Sequence, residues 1–532
     1  MLHRRPTVNI SPLKPPNAPT SAPMLESAAT PDVLSPPAPS ADGARRAAGL
    51  LAALGAASAA VYLLRLSLPM SLRDYLGSPL IDLPKLIGET NVGAWYYLDT
   101  MLALFGLYLA GYWVVLRLTR QASADSRVSM RQLGAVIVTF FGVFSAILLL
   151  MFPVTAADVF NYMLYARMWV LQGLNPYVVP PEQVASDLTL DYTIFRNLTT
   201  AYGPGFTQLS AVLVRLAGED LLRLLLVFKL ALIGFHAASV WLVYLTLRRI
   251  EPAYAWAGAY LMAWNPLVLF NVAGDGHNDI TMLALVLLAF YLVARRRWTL
   301  ALTALVLSAT MKWLSVLLIP MFLVGGLRAL GRRGIVPLVS GLLFGLGIAA
   351  LLFAPFYTTP EHAYASLLGF GSLFTTSIGT VLRDALMDVV GEDAAVRWAR
   401  WTMYLVFGVF YVWEMTRVRG TFMSLAYASF QAFFLYLVFG GLWFQPWYVT
   451  WLVGIGALLV GTRVANRMIL FTFTAMLAHV VTGFGWRVGW FESYKPYLRL
   501  AAVSLVFAAP LIAWLAERDP LRRPPGAGDS QT

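Results

Sequence analysis

Long apolar runs, broken by short polar or glycine- and proline-bearing stretches, recur along almost the whole chain. A helix needs about 20 apolar residues to cross the hydrocarbon of a bilayer. On that measure the runs at 47–68, 95–117, 133–153, 221–247, 254–273, 279–294, 299–311, 313–327, 335–356, 397–416, 421–443, 448–461, 468–484 and 497–516 predict an all-α polytopic membrane protein with about 12–14 transmembrane helices. Several runs are short, and the pair around 299–327 also reads as two half-length helices meeting below the outer surface. Two further segments, 158–172 (DVFNYMLYARMWVLQ) and about 204–217, are too short for confident spans and read as helices lying on or dipping into the membrane.

The polar breaks orient these runs. Arg45/Arg46, Arg117/Arg120/Arg127/Arg131, Arg248/Arg249, Arg295–Arg297, Arg328/Arg332/Arg333, Arg417/Arg419, Arg463/Arg467 and Arg518/Arg522/Arg523 all fall on one side if 206–217 does not cross. The positive-inside rule makes that side cytoplasmic. Both termini are then expected inside, and 154–220 becomes one external loop with two interfacial helices. The expected organisation is a disordered Pro-rich cytoplasmic tail at 1–44, a membrane domain at 45–516 and a second disordered cytoplasmic tail at 517–532. The chain is expected as a multi-pass plasma membrane protein with its chemistry facing outside, because the larger polar connections lie there.

Composition agrees. The chain is 59% hydrophobic and 12% charged, where a soluble domain is roughly 45–50% apolar and about 25% charged. The net charge of +12 is accounted for by the arginines at helix ends and calls for no nucleic acid. With no cysteine, thiolate metal sites and cysteine nucleophiles are excluded. The short cytoplasmic connections hold no Gly-rich phosphate loop, which disfavours ATP-driven transport.

Four places have candidate chemistry. Asp158 begins the first short helix: near hydrocarbon its carboxyl is raised in pKa and suits a general base, though Asp at a helix start is also an ordinary cap. Asp275, His277, Asn278 and Asp279 crowd five residues between apolar runs. They suit hydrogen bonding to a sugar or coordination of a divalent cation, with a polar turn capping the next helix as the plain alternative. Lys312 is a lone cation in an apolar stretch, either aimed at a lipid phosphate or a turn lysine at the headgroup level. Residues 441–451 (GLWFQPWYVTW) read first as an interfacial aromatic belt, with Gln445 beside Pro446 the less ordinary part. Arg167 reads as a snorkelling side chain, and Lys229 and His236 as internal polar contacts.

Taken together, Asp158 with NYMLYAR and GLNPY, AYGPGF at 201–206, NPLVLFNVAGDGHND at 265–279, TMK at 310–312 and QPWY at 445–448 resemble the GT-C superfamily of membrane glycosyltransferases. Within it the chain is similar to polyprenyl-phosphate-mannose-dependent α-mannosyltransferases of the MptA/MptB type. The resemblance implies a large first external loop, a catalytic Asp at its start (here Asp158, without an adjacent acidic partner), a polyprenyl-phosphate-linked sugar donor, and a glycan or glycolipid acceptor among membrane lipids. It implies single-displacement inversion, by analogy with inverting glycosidases. Asp158 would deprotonate the acceptor, Lys312, Arg196 or Arg487 would stabilise the phosphate, and Asp275, His277, Asn278, Asp279, Gln445 and Tyr202 would contact substrate. No cofactor is required by this reading, and a divalent cation is left open. The competing class is a transporter or flippase of a lipid-linked saccharide. The chain lacks a convincing internal repeat, and its outer loops exceed the inner ones, which favours the enzyme.

Overall fold

The computed structural model describes residues 41–121, 127–184, 186–359, 374–485, 487–488 and 495–521. The stretch 1–40 of the expected tail lies outside them. The first helix starts at Ala41, inside the segment that the proline pattern assigns to the tail. At the other end Glu517 is buried against Arg467, Nε to Oε1 3.3 Å.

Helix α1 is Ala41–Val61, α2 Asn91–Gln121 and α3 Arg127–Leu149, and α1 packs on both of the others. The two short helices follow: α4 is Asp158–Gln172 and α5 Pro204–Ala217, packed together. After them come α6 (Leu221–Ile250), α7 (Ala255–Ala263), α8 (Asp279–Ala294), α9 (Trp298–Met311), α10 (Leu318–Leu330) and α11 (Ile335–Phe353). The last group is α12 (Ile378–Val390), α13 (Glu392–Arg417), α14 (Phe422–Leu435), α15 (Thr450–Leu458), α16 (Arg463–His479) and α17 (Lys495–Ala516). Among the described residues there is no strand, only an isolated bridge between Ser71 and Met151. Among the described residues eight helices are long and apolar enough to cross a membrane, and Asp279–Ala294, Trp298–Met311 and Pro446–Leu458 are shorter apolar companions.

Exposed apolar side chains explain why water cannot be the solvent. Leu343, Phe344 and Leu351 on α11, Trp401 and Leu405 on α13, and Ile512 and Leu515 on α17 all stand more than half exposed. Rows of this kind belong against lipid. The arginine-bearing ends are tied to one another: Arg249 Nε donates to the Ala294 carbonyl (2.8 Å), and Arg328 Nη1 to the carbonyls of Thr416 (3.0 Å) and Val418. Helix order then puts Asp158, the 275–279 turn and Lys312 at the opposite helix ends.

Two expectations change. The run 254–273 is not one continuous helix. Asn265 turns extended and its side chain accepts from the amides of Leu267 and Val268, so a new helix begins at Pro266. A proline at that position cannot continue a helix but starts one well. Helix α4 differs from a surface-lying helix: Val159–Met168 are all buried, so protein encloses it on every side. Helix α5 keeps an outward apolar edge at Val212 and Leu216.

The GPG of 203–205 holds α5 against the end of α9. Gly203 N–H donates to the Met311 carbonyl (3.3 Å), and a Cβ on Gly203 would lie 2.0 Å from the Thr310 carbonyl oxygen. Because that neighbour is backbone, Gly203→Ala must push the two elements apart. The expected outcome is a loss of about 1–3 kcal/mol, read as a lowered unfolding temperature in detergent. An unchanged temperature would mean the close approach is not needed.

Candidate active site

Asp158 is the first residue of α4. Helix α4 is preceded by Ala157 as cap residue, and no side chain caps it. The carboxylate is therefore not spent on the backbone, as the plain capping reading would have it. It faces the turn before α8 instead, with Oδ2 3.6 Å from His277 Nδ1. Burial pushes its pKa up to about 7, with Lys312 opposing and Asp279 and Asp275 adding to the rise.

The 275–279 turn is held from several sides. Gly276 has φ +79°, a conformation cheap only for glycine. Asp275 Oδ1 accepts from the Val154 amide (2.8 Å) and the Thr155 amide (3.4 Å), and Oδ2 from the Thr155 hydroxyl. These bonds fix the chain entering α4. Burial raises the Asp275 pKa to about 6 although those bonds and Lys229 oppose it. Lys229 itself donates to the carbonyls of Leu148, Leu149 and Met151 at 3.0, 2.9 and 2.6 Å, closing the C-terminal end of α3.

His277 is buried, stacked on Trp447 with centroids 4.0 Å apart. Burial, then Lys312 and His479, hold its pKa well below the ordinary value, so the imidazole is neutral. Asn278 and Asp279 do not cap α8 with their side chains, contrary to the capping alternative. The Tyr162 hydroxyl donates to Asn278 Oδ1 (3.3 Å). Asp279 Oδ1 accepts from Lys312 Nζ at 2.6 Å and from Trp451 Nε1 at 2.5 Å. Lys312 sits in the extended break after α9, its ammonium 4.7 Å from the Tyr448 ring centroid and 5.4 Å from that of Trp451. It is an ion-paired residue, neither a free turn lysine nor a cation aimed only at lipid.

What remains unpaired is as telling. Both ring nitrogens of His277, Asn278 Nδ2 and Asp279 Oδ2 are buried without a hydrogen-bond partner. Buried polar atoms are ordinarily satisfied, and these four belong to three neighbouring residues of the turn that meets the part-open Asp158 carboxylate through His277. Among the described residues no group of three or more His, Asp or Glu could hold a metal ion.

The sequence-named residues thus divide. Asp158, Asp275, His277, Asn278, Asp279 and Lys312 come together. Tyr202 packs edge-on against Tyr162 (4.7 Å), one residue layer behind. Gln445 and Arg487 line a cleft of about 450 Å³ beside the cluster, together with Thr155 and Pro446. Arg196 does not join: it lies in an exposed pair with Asp191 (3.2 Å). Arg167 is not a snorkelling side chain, since it is buried in a pair with Asp187 at 2.9 Å. Sequence reasoning missed Tyr162, Trp447 and Trp451. The aromatic belt reading of 441–451 fails for the two tryptophans, which are buried against His277 and Asp279.

The profile of a family described as alpha-(1->6)-mannopyranosyltransferase, N-terminal domain, matches residues 51–327. That range holds the Asp158, 275–279 and Lys312 segments and ends before Trp447 and Trp451. The chain is 25% identical over 231 residues to alpha-(1->6)-mannopyranosyltransferase A of Corynebacterium glutamicum, covering 42% of this chain and 45% of that one. It is 26% identical over 208 residues to alpha-(1->6)-mannopyranosyltransferase A of Mycobacterium tuberculosis, covering 39% and 40%. Over 218 residues it is 26% identical to a probable alpha-(1->6)-mannopyranosyltransferase of Mycolicibacterium smegmatis, covering 40% and 36%. The chain spans less than half the length of each of these relatives.

Proposed function

The chain belongs to the alpha-(1->6)-mannopyranosyltransferase family, and from that premise we propose that it transfers a mannosyl residue from a polyprenyl-phosphate donor to a glycan or glycolipid acceptor at the outer membrane surface. The observation that carries this reading is the part-open Asp158 carboxylate facing His277, on a turn whose His277, Asn278 and Asp279 hold four unsatisfied buried polar atoms.

The chemistry follows from the groups. An acceptor hydroxyl gives its proton to Asp158 as its oxygen bonds to the anomeric carbon. The bond from that carbon to the phosphate oxygen breaks on the opposite face, so configuration inverts and an α product requires a β-linked donor. Phosphate is a good leaving group and needs positive charge more than a proton. Lys312 supplies it: one N–H is committed to Asp279, and the side chain is 19% exposed. His277, Asn278 Nδ2 and Asp279 Oδ2 bind sugar hydroxyls, with Trp447 keeping the imidazole in place. Asp275 is a positioning residue that holds Val154 and Thr155.

Purified protein given synthetic polyprenyl-phosphate-mannose and a mannoside acceptor is expected to form the mannosylated product. No product, with movement of a lipid-linked saccharide across liposomes instead, would establish the transporter reading. The pH profile adds a second check. A base must be ionised to act, and the Asp158 pKa is raised to about 7. The rate, as kcat/KM, is expected to climb tenfold per unit below about pH 7 and level off above it. A flat profile from pH 5 to 8 would exclude a carboxylate in this environment as the base.

A further inference from the structure

The cleft beside the reaction centre is lined by two arginines, Arg487 and Arg499. On charge alone it would pass for the seat of the donor phosphate. Its ion pairs point the other way. Arg487 spends all three guanidinium nitrogens within the protein: Nη2 to Asp82 (2.6 Å), Nε to Glu89 (2.8 Å) and Nη1 to the Gly483 carbonyl (3.0 Å). Arg499 Nη1 lies 2.9 Å from Asp384 Oδ2, and the same carboxylate takes Arg383 at 2.6 Å. Three cations are thereby matched by three carboxylates, Asp82, Glu89 and Asp384, among the described residues. At Arg487 an entering phosphate would have to displace a carboxylate already seated, and at Arg499 it would compete with Asp384.

What the cleft does leave free is uncharged. The Gln445 amide and the Thr376 hydroxyl line it and make no side-chain hydrogen bond among the described residues. His479, also on its wall, has Nε2 buried and unpartnered. Apolar Leu83, Pro84 and Phe444 complete the walls. Uncommitted amide, hydroxyl and imidazole groups over apolar patches, with the ion-paired Asp82 carboxylate on the wall as a further acceptor, are the complement of a sugar ring. The cleft is also joined to the reaction centre at two points. Thr155 on its wall is bonded to Asp275, and Pro446 precedes the tryptophan that stacks on His277.

We infer that this cleft is the seat of an uncharged saccharide acceptor, whose reactive hydroxyl it delivers to Asp158, and that it is not the donor phosphate site. The inference rests on the glycosyl-transfer reading for the word acceptor, and on the cleft alone for the ligand class. The test titrates the full chain in lipid nanodiscs with a neutral manno-oligosaccharide and, separately, with polyprenyl phosphate carrying no sugar. Gln445→Ala and Thr376→Val are each expected to weaken oligosaccharide binding about tenfold, with polyprenyl phosphate affinity unchanged and Thr376→Ser restoring the first. Oligosaccharide affinity should not respond to added salt. Thermal unfolding of each variant separates lost binding from lost fold. The double change Asp82→Asn/Glu89→Gln frees Arg487 and is expected to raise polyprenyl phosphate affinity. Polyprenyl phosphate weakened by the Gln445 or Thr376 changes would overturn the inference, as would oligosaccharide binding indifferent to both. Transfer activity measured in parallel keeps the readings apart: a protein that binds oligosaccharide here but transfers nothing refutes the transfer reading and leaves the cleft assignment standing.

Discussion

Asp158→Asn is expected to lower mannosyl transfer by about a thousandfold while leaving donor binding and the unfolding temperature near wild type. General base catalysis is worth roughly 10²–10⁴ in rate, and this is the one carboxylate of the cluster with an open side, 18% exposed beside a buried His277. The amide is isosteric and cannot take a proton. The variant costs little in folding because Asp158 makes no capping bond that α4 would lose. Its neighbours cannot substitute: Asp275 is tied to Val154 and Thr155, and Asp279 Oδ1 to Lys312 and Trp451. His277 is held neutral and could accept a proton, but burial and Lys312 make its cation costly. Transfer by Asp158→Asn within tenfold of wild type, with the pH limb intact, would move the base to Asp275. The rate constant should be followed at saturating donor, so that a change in KM does not stand in for one in kcat.

The parts of this site that were legible in the sequence are local. Asp after a span-ending proline and Gly173 with φ +67° at the far end bound α4 at Asp158 and Gln172, where the pattern predicts it. Pro204 opens α5 and Gly218 closes it for the same reason: punctuation by these residues acts over one turn. Partner choice was not legible. Trp451 reaches Asp279 across 172 residues, and nothing in QPWYVTW distinguishes a tryptophan at the lipid interface from one turned inward. Arg167 finds Asp187 only because the loop folds back, while apolar context alone favours a snorkel. Cap readings failed at Asp158, Asn278 and Asp279 together, since these side chains turn to partners on other elements: His277, Tyr162 and Lys312.

The pair Lys312–Asp279 gives the second large effect. Asp279 is 1% exposed, and Lys312 Nζ stands 2.6 Å from its Oδ1. Removing one partner of a buried pair leaves a charge with no compensation, and typical losses are about 3–5 kcal/mol. Lys312→Met is therefore expected to lower the unfolding temperature sharply and to abolish transfer. That result alone does not tell a structural lysine from one that also meets the phosphate. Lys312→Met/Asp279→Asn does. With both charges gone, Trp451 Nε1 still has an amide oxygen to donate to, and stability should return to within about 1 kcal/mol of wild type because a neutral pair needs little compensation. Transfer should stay lost, since the positive charge that meets the leaving phosphate is absent and an electrostatic contribution of this type is worth on the order of a hundredfold or more. A stable double variant that transfers mannose at the wild-type rate would reduce the pair to a brace between α8 and the break after α9. The leaving group would then need another cation. Since Arg487 is already saturated by Asp82, Glu89 and Gly483, it could take that place only by giving up one of those partners.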